Sequence, residues 1–73
     1  MTVETEFDEK TGTWIAEVVE VPGAMESHVN RDEAIQLAQN AAVTALQLYV
    51  KAGLPLPVGL FTVLTSLGTT AAS

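Results

Sequence analysis

Three glutamates are the residues of this sequence whose type and spacing could do chemistry. Glu4 and Glu6 alternate along one predicted strand and Glu17 lies on the next, so all three should share the outer face of a hairpin. Paired carboxylates can bind a divalent metal ion or share a proton, as a metal-dependent nuclease would require. The alternative is a solvated acidic face. We expect the alternative, and therefore no enzyme activity, no metal ion and no cofactor.

Apart from these glutamates, the sequence has few residues that could bind a metal ion or act in catalysis. His28 is the only histidine and there is no cysteine, so a metal site or an activated nucleophile has little to build on. We interpret His28 as a surface histidine on a short strand. No glycine-rich phosphate loop is present. Phe7, Trp14 and Tyr49 are spaced as core residues and not as a platform for stacking bases.

The charge of the chain is concentrated in its first half. All nine acidic residues lie within residues 4–33, and Lys51 is the only charged residue after them; the net charge is −6. Nucleic-acid binding normally needs a basic stripe along the phosphate backbone, and none is present. The acidic half instead favours a basic protein as partner.

Length and hydropathy point to self-association. The chain has 73 residues, of which 48% are hydrophobic, and a body this small cannot bury so much apolar surface alone. We therefore expect a homodimer or a homotetramer. The acidic start does not resemble a signal peptide, and no apolar run reaches the roughly 20 residues of a membrane span. These features predict a cytoplasmic protein without membrane contact.

The first third of the chain predicts a three-stranded antiparallel sheet. Residues 2–7 alternate apolar and polar side chains, the loop 8–12 ends in a glycine suited to a hairpin, and a second strand follows over residues 13–19. Matching the apolar faces pairs Phe7 with Trp14, and this register also sets Thr5 opposite Ala16. A Pro-Gly turn follows, and then a short third strand over residues 24–29.

A long helix is the strongest signal in the sequence. Asn30 is a good N-cap, Glu33 can complete a capping box, and Gly53 is a suitable C-cap, which predicts a helix over residues 31–52. At 100° per residue one face is small and apolar and should pack on the sheet. That face consists of Ala34, Ala38, Ala41, Ala42, Ala45, Leu48 and Tyr49. Val43 and Val50 lie towards the polar side and form a candidate contact surface.

The segment after the helix predicts a fourth strand. Both faces of residues 58–65 are largely apolar, so the strand should be covered on both sides or pair with another chain. The expected fold is α+β: a three-stranded antiparallel sheet with one long helix and a short fourth strand, in a single domain over residues 1–65 with a flexible tail over 66–73. The candidate self-association residues are Phe61, Val63, Val43 and Val50.

Three short segments together resemble the HicB-like antitoxin family. They are the strand Trp14-Ile15-Ala16-Glu17-Val18, the turn Val21-Pro22-Gly23-Ala24, and the helix start Asn30-Arg31-Asp32-Glu33-Ala34. The family typically has Thr or Ser where Asn30 stands. The resemblance covers residues 3–57, and Leu56-Pro57-Val58 resembles the start of the last strand in short stand-alone members.

This resemblance implies a β-β-β-α-β unit related to a truncated RNase H-like or double-stranded-RNA-binding-like fold. It also implies that the chain binds and neutralises a small basic HicA-like toxin that cleaves mRNA. Many family members add a C-terminal DNA-binding domain, which this sequence does not show. The candidate toxin-binding residues are Glu4, Glu6, Glu17 and Glu26. The alternative is an orphan HicB-like homo-oligomer without a cognate toxin and with another binding partner.

Overall fold

The structure, a computed structural model, describes the backbone of residues 1–71 and the side chains of residues 1–66. It contains three strands followed by two helices. They are β1 (Val3–Asp8), β2 (Thr13–Val18), β3 (Met25–His28), α1 (Arg31–Ala52) and α2 (Val58–Ala71). The α+β class and the three-stranded antiparallel sheet with a long helix are therefore confirmed.

The sheet has the order β1-β2-β3, with β2 in the centre. The register sets Phe7 opposite Trp14 and Thr5 opposite Ala16, as the matching of apolar faces predicted. In the first hairpin the Gly12 amide donates to the Asp8 carbonyl at 2.8 Å, and Gly12 adopts φ 69°, an angle that favours glycine. The apolar pattern and the turn chemistry thus specify the same pairing.

Both ends of α1 are capped by the residues that the sequence indicates. The amide of Glu33 donates to Asn30 Oδ1 at 3.1 Å, which satisfies one of the free donors of the first turn. At the other end Gly53 has φ 70°, and the amides of Gly53 and Leu54 donate to carbonyls of the last turn. The predicted bounds of α1 are confirmed.

The core between α1 and the sheet is thin because its centre is alanine. Ala34, Ala38 and Ala42 are fully buried, which lets the helix axis lie close to the strands. Among the described side chains, only Val18 and Val63 are both large and fully buried. One prediction for this face is wrong: Leu48 is 62% exposed, because it lies at the rim of the alanine stripe and not at its centre.

The predicted fourth strand is wrong, since residues 58–65 belong to helix α2. Leu60 and Val63 are buried at helical spacing, and α2 packs against α1. Hydroxyl groups of Thr62, Thr65 and Ser66 donate to carbonyls one turn earlier, at 3.0–3.1 Å. A largely apolar segment has no distinct hydrophobic period, so the sequence alone does not distinguish a strand from a helix here, and packing against α1 decides between them. The observed order is β-β-β-α-α.

The start of α2 approaches the turn that follows β2. A Cβ atom at Gly59 would overlap the backbone carbonyl of Glu20, so only glycine allows this close approach. The predicted tail over residues 66–73 is helical as far as Ala71, and residues 72–73 lie outside the described residues. None of the helices that the structure describes has both the length and the apolar character needed to cross a bilayer.

Candidate protein-binding surface

The outer face of the sheet is open because the helices pack elsewhere. Helix α1 lies on the face that carries Ala16 and Val18, and α2 packs on α1. A shallow concavity is left on the opposite face. Its lining residues are Glu4, Thr5, Glu6, Ile15, Glu17 and Met25. We call Glu4, Glu6, Ile15, Glu17 and Met25 the outer acidic face.

Three of the four candidate toxin-binding residues come together on the outer acidic face. Glu4 stands directly opposite Glu17 in the ladder, and Glu6 stands opposite Ile15. None of these three carboxylates has a hydrogen-bond or ion-pair partner among the described residues. They surround Ile15 and the half-exposed Met25, so the face combines negative charge with an apolar centre.

The fourth candidate, Glu26, does not belong to this face. It stands opposite Ala16, so its Cβ lies on the helix side of the sheet. Its atoms border a neighbouring concavity that shares Ile15 and Met25 with the first. The face on which Glu26 lies could not be predicted from the sequence, because the register of β3 depends on how the Pro-Gly turn is formed. Glu26 therefore does not share the outer acidic face with the other three candidates, and its part in toxin binding stays a prediction.

The basic residues of the chain lie away from the outer acidic face. Lys10 is in the first hairpin turn, Lys51 is at the end of α1, and Arg31 is at its start. The Arg31 guanidinium lies over the Trp14 ring, 5.9 Å from its centroid, and Arg31 Nε donates to Thr5 Oγ1 at 3.2 Å. Arg31 is therefore engaged on the helix side, and the outer carboxylates are left for an external cation.

An aromatic cluster lies on the helix side near the start of α1. The rings of Phe7 and Trp14 are 5.2 Å apart between centroids and inclined by 60°. The prediction that these rings are core residues is wrong for Phe7, which is 46% exposed, and Trp14 is only half-buried. The sequence also did not indicate that Arg31 would stack on Trp14. The strand register could have revealed the contact between Arg31 and Trp14, because it brings the first hairpin against the N-terminus of α1. This cluster fixes the helix on the sheet.

His28 has a structural role that the sequence did not indicate. Its Nδ1 atom accepts a hydrogen bond from the Asn30 amide at 3.0 Å. A capping box would have used the Glu33 side chain for that amide, so His28 replaces half of the box. The described residues contain no group of three or more His, Asp or Glu side chains placed to hold one metal ion.

The Glu20 carboxylate lies outside the outer acidic face and is hydrogen-bonded to the backbone. The Thr2 amide donates to both carboxylate oxygens of Glu20 at 2.9 Å. This bond, and a weaker one from the Glu20 amide itself, hold the pKa of the Glu20 carboxyl below its ordinary value of 4.5. Glu20 thereby anchors the start of the chain beside the turn after β2, so it acts in stability and not in the outer acidic face.

The candidate self-association residues do not form one exposed surface. Val63 is fully buried within the single chain, so it cannot contact a second copy, and that prediction is wrong. Val43 is half-buried, whereas Val50 and Phe61 are 61% and 59% exposed. The helical course of α2 explains the difference, because Phe61 and Val63 lie on different sides of a helix. Phe61 is instead accompanied by the exposed Leu64.

Comparison of the chain with family models, with curated proteins and with solved structures found no match.

Proposed function

We propose that this chain is a protein-binding domain whose outer acidic face binds a basic protein in the cytoplasm. The observation that carries the proposal is the open face itself. Glu4, Glu6 and Glu17 lie together around Ile15 and Met25, and their carboxylates have no hydrogen-bond or ion-pair partner in the part of the chain that the structure describes. Buried protein interfaces combine an apolar centre with a polar rim, and this face has that composition. Its uncompensated negative charge attracts basic partners and repels acidic ones.

The resemblance to HicB-like antitoxins supports a specific partner, a small basic toxin that cleaves mRNA. Such a toxin carries positive charge where it holds its RNA substrate, because RNA binding depends on contacts with phosphates. A face of carboxylates can occupy the same cationic groups as the RNA backbone. Binding there would neutralise the toxin by competition, with no catalytic residue needed in this chain.

The test uses the chain and the small basic protein that this proposal expects to be encoded beside its gene. Calorimetry measures their dissociation constant, and an mRNA-cleavage assay measures inhibition. Replacing Glu4, Glu6 and Glu17 together by Gln removes three exposed charge pairs of up to about 1 kcal/mol each, which raises Kd about tenfold to a hundredfold. Inhibition of cleavage should weaken in parallel.

The matched control is Glu9→Gln, which removes one carboxylate from the first hairpin turn, outside the outer acidic face. It should leave Kd within about twofold. Absence of a basic protein encoded beside the gene, or equal affinity of the triple variant and the wild type, would contradict the proposal. Circular dichroism establishes that each variant is folded before it is compared.

A second candidate function is a homo-oligomeric domain with another binding partner. The observation that favours it is the apolar outer side of α2, where Val58, Phe61 and Leu64 are 84%, 59% and 40% exposed. Exposed apolar side chains on a body this small favour burial against another chain. A homo-oligomer is compatible with the first proposal, since α2 and the outer acidic face lie on different sides of the sheet.

Light scattering at micromolar concentration tests this second candidate. Wild-type protein should have the mass of a dimer or a tetramer, and Phe61→Ser combined with Leu64→Ser should shift it to monomer. The matched control is Val29→Ser, which replaces a valine that is 70% exposed between β3 and α1. A monomeric wild type would exclude self-association as the function of α2.

A further inference from the structure

The hydrogen-bond pattern of β1 defines which of its backbone groups are free. The amide of Val19 donates to the Thr2 carbonyl at 2.9 Å, one step beyond the opposed pair Val3 and Val18. In an antiparallel ladder, pairs that exchange backbone bonds alternate with pairs that do not. The even-numbered residues of β1 therefore bond to β2, and the odd-numbered ones point their amides and carbonyls to the opposite side.

That opposite side is a free sheet edge. The outward backbone groups belong to Val3, Thr5 and Phe7, and none of the described residues forms a hydrogen bond with them. The Thr5 hydroxyl accepts from Arg31, but this bond uses the side chain on the helix side. A free edge of this kind is a template on which another extended segment can add a strand.

The side chains of β1 select which segment can use the edge. Glu4 and Glu6 project from the outer face of the same strand, so an added strand would set alternate side chains beside them. A second copy of β1 would bring like charges together, which disfavours pairing between copies. A strand with basic residues at every second position would place those residues against Glu4 and Glu6.

The other edge of the sheet is less suited to this role. β3 has four residues, against six in β1, and Met25 and Ser27 are the ones that point their backbone groups outward by the same alternation. Its one carboxylate, Glu26, lies on the helix side. The longer free edge and the outer carboxylates thus coincide only at β1.

We infer that β1 is the docking edge of the outer acidic face, and that it takes an extended segment of the basic protein partner as an additional strand. The segment has Lys or Arg at alternate positions on the outer side. Uncharged side chains alternate with them and lie beside Val3, Thr5 and Phe7. This inference depends on the proposed function and states how the same face holds its partner: main-chain bonds give affinity and the carboxylates give specificity.

The probe is a synthetic peptide as long as β1, with lysine and valine in alternation. Nuclear magnetic resonance of the labelled protein follows the titration, because a single short strand binds weakly. The amide protons of Val3, Thr5 and Phe7 should shift and exchange more slowly with solvent when the peptide is bound. A peptide of the same composition with its lysines in one block should produce much smaller changes at these amides.

Thr5→Pro tests the edge directly, since proline removes an outward donor and fills its place with the ring, a change that edge strands tolerate. Binding of the alternating peptide should weaken about tenfold or more. Two controls accompany it. Thr5→Val keeps the amide and removes the hydroxyl that bonds Arg31, and Ser27→Pro removes an outward donor from β3; both should bind like the wild type.

The outcomes separate the two proposals. If the basic protein binds and Glu4, Glu6 and Glu17 are needed, but no β1 amide is protected and Thr5→Pro binds normally, the docking edge is overturned and the proposed function stands. If no basic protein binds the wild type, the proposed function fails. Equal effects of the alternating and block peptides would show charge attraction alone and would also overturn the docking edge. If Thr5→Pro does not fold, the exchange measurement on wild-type protein decides.

Discussion

At the scale of single residues, Gly59 determines whether α2 can dock. Its Cα lies so close to the Glu20 carbonyl that a methyl group would displace the backbone. Gly59→Ala should therefore destabilise the protein by about 1–3 kcal/mol, the range for overpacking a close contact. Urea unfolding measures the free energy of unfolding. The matched control is Thr62→Ala on the exposed side of the same helix, and equal effects of the two would contradict the packing argument.

Glu20 makes a second prediction, which concerns pH. Its pKa is lowered in the folded chain by the Thr2 amide, so the bond stabilises the protein above the ordinary value of 4.5 and is lost as the pH falls through the folded pKa. Wild type should have a higher Tm than Glu20→Gln at about pH 7, and the difference should shrink below about pH 4.5. Thermal unfolding followed by circular dichroism measures it. A difference that is constant with pH would contradict the carboxylate bond.

At the scale of elements, the N-cap makes the third prediction. Asn30 supplies the side-chain acceptor for the first turn of α1, and alanine cannot replace it. Asn30→Ala should lower the free energy of unfolding by about 1 kcal/mol. Gln47→Ala, an exposed substitution in the middle of the same helix, is the control and should have little effect. Urea unfolding compares them, and a similar loss in both would mean that the cap does not stabilise α1.

The elements also show what the sequence could predict and why. The register of β1 and β2 followed from alternation, because a shift by one residue would turn Val3 and Ala16 to solvent. The bounds of α1 followed from its caps. α2 could not be recognised, because Leu60 and Val63 fit a helix as well as a strand until the packing against α1 is known.

The candidate surface was predictable to the same degree as the elements that carry it. Glu4, Glu6 and Glu17 lie on β1 and β2, whose register is determined by the sequence, and they were grouped correctly. Glu26 lies on β3, which follows a turn whose geometry is not determined by alternation. The free edge of β1 could not be predicted from the sequence. The position of each strand in the sheet, central or at an edge, depends on how all three strands pair.

At the scale of the whole molecule, charge and stability are opposed. The net charge is −6, and the structure records no described ion pair that offsets the outer carboxylates. Glu4 and Glu17 face each other across the first hairpin, and like charges directly opposite are destabilising. The proposed binding of a basic protein would offset this repulsion, because a cation placed between the two carboxylates attracts both.

The last prediction follows from this opposition and uses Glu4→Gln. Removing one of two facing carboxylates should raise the free energy of unfolding by about 0.2–1 kcal/mol, while the same change weakens binding of the basic protein. Sodium chloride at about 1 M screens the repulsion, so the gain of the variant over wild type should nearly vanish there. Urea unfolding at low and high salt measures it. Glu9→Gln has no facing carboxylate and should show a smaller gain; equal gains would mean that net charge, and not the facing pair, destabilises the fold.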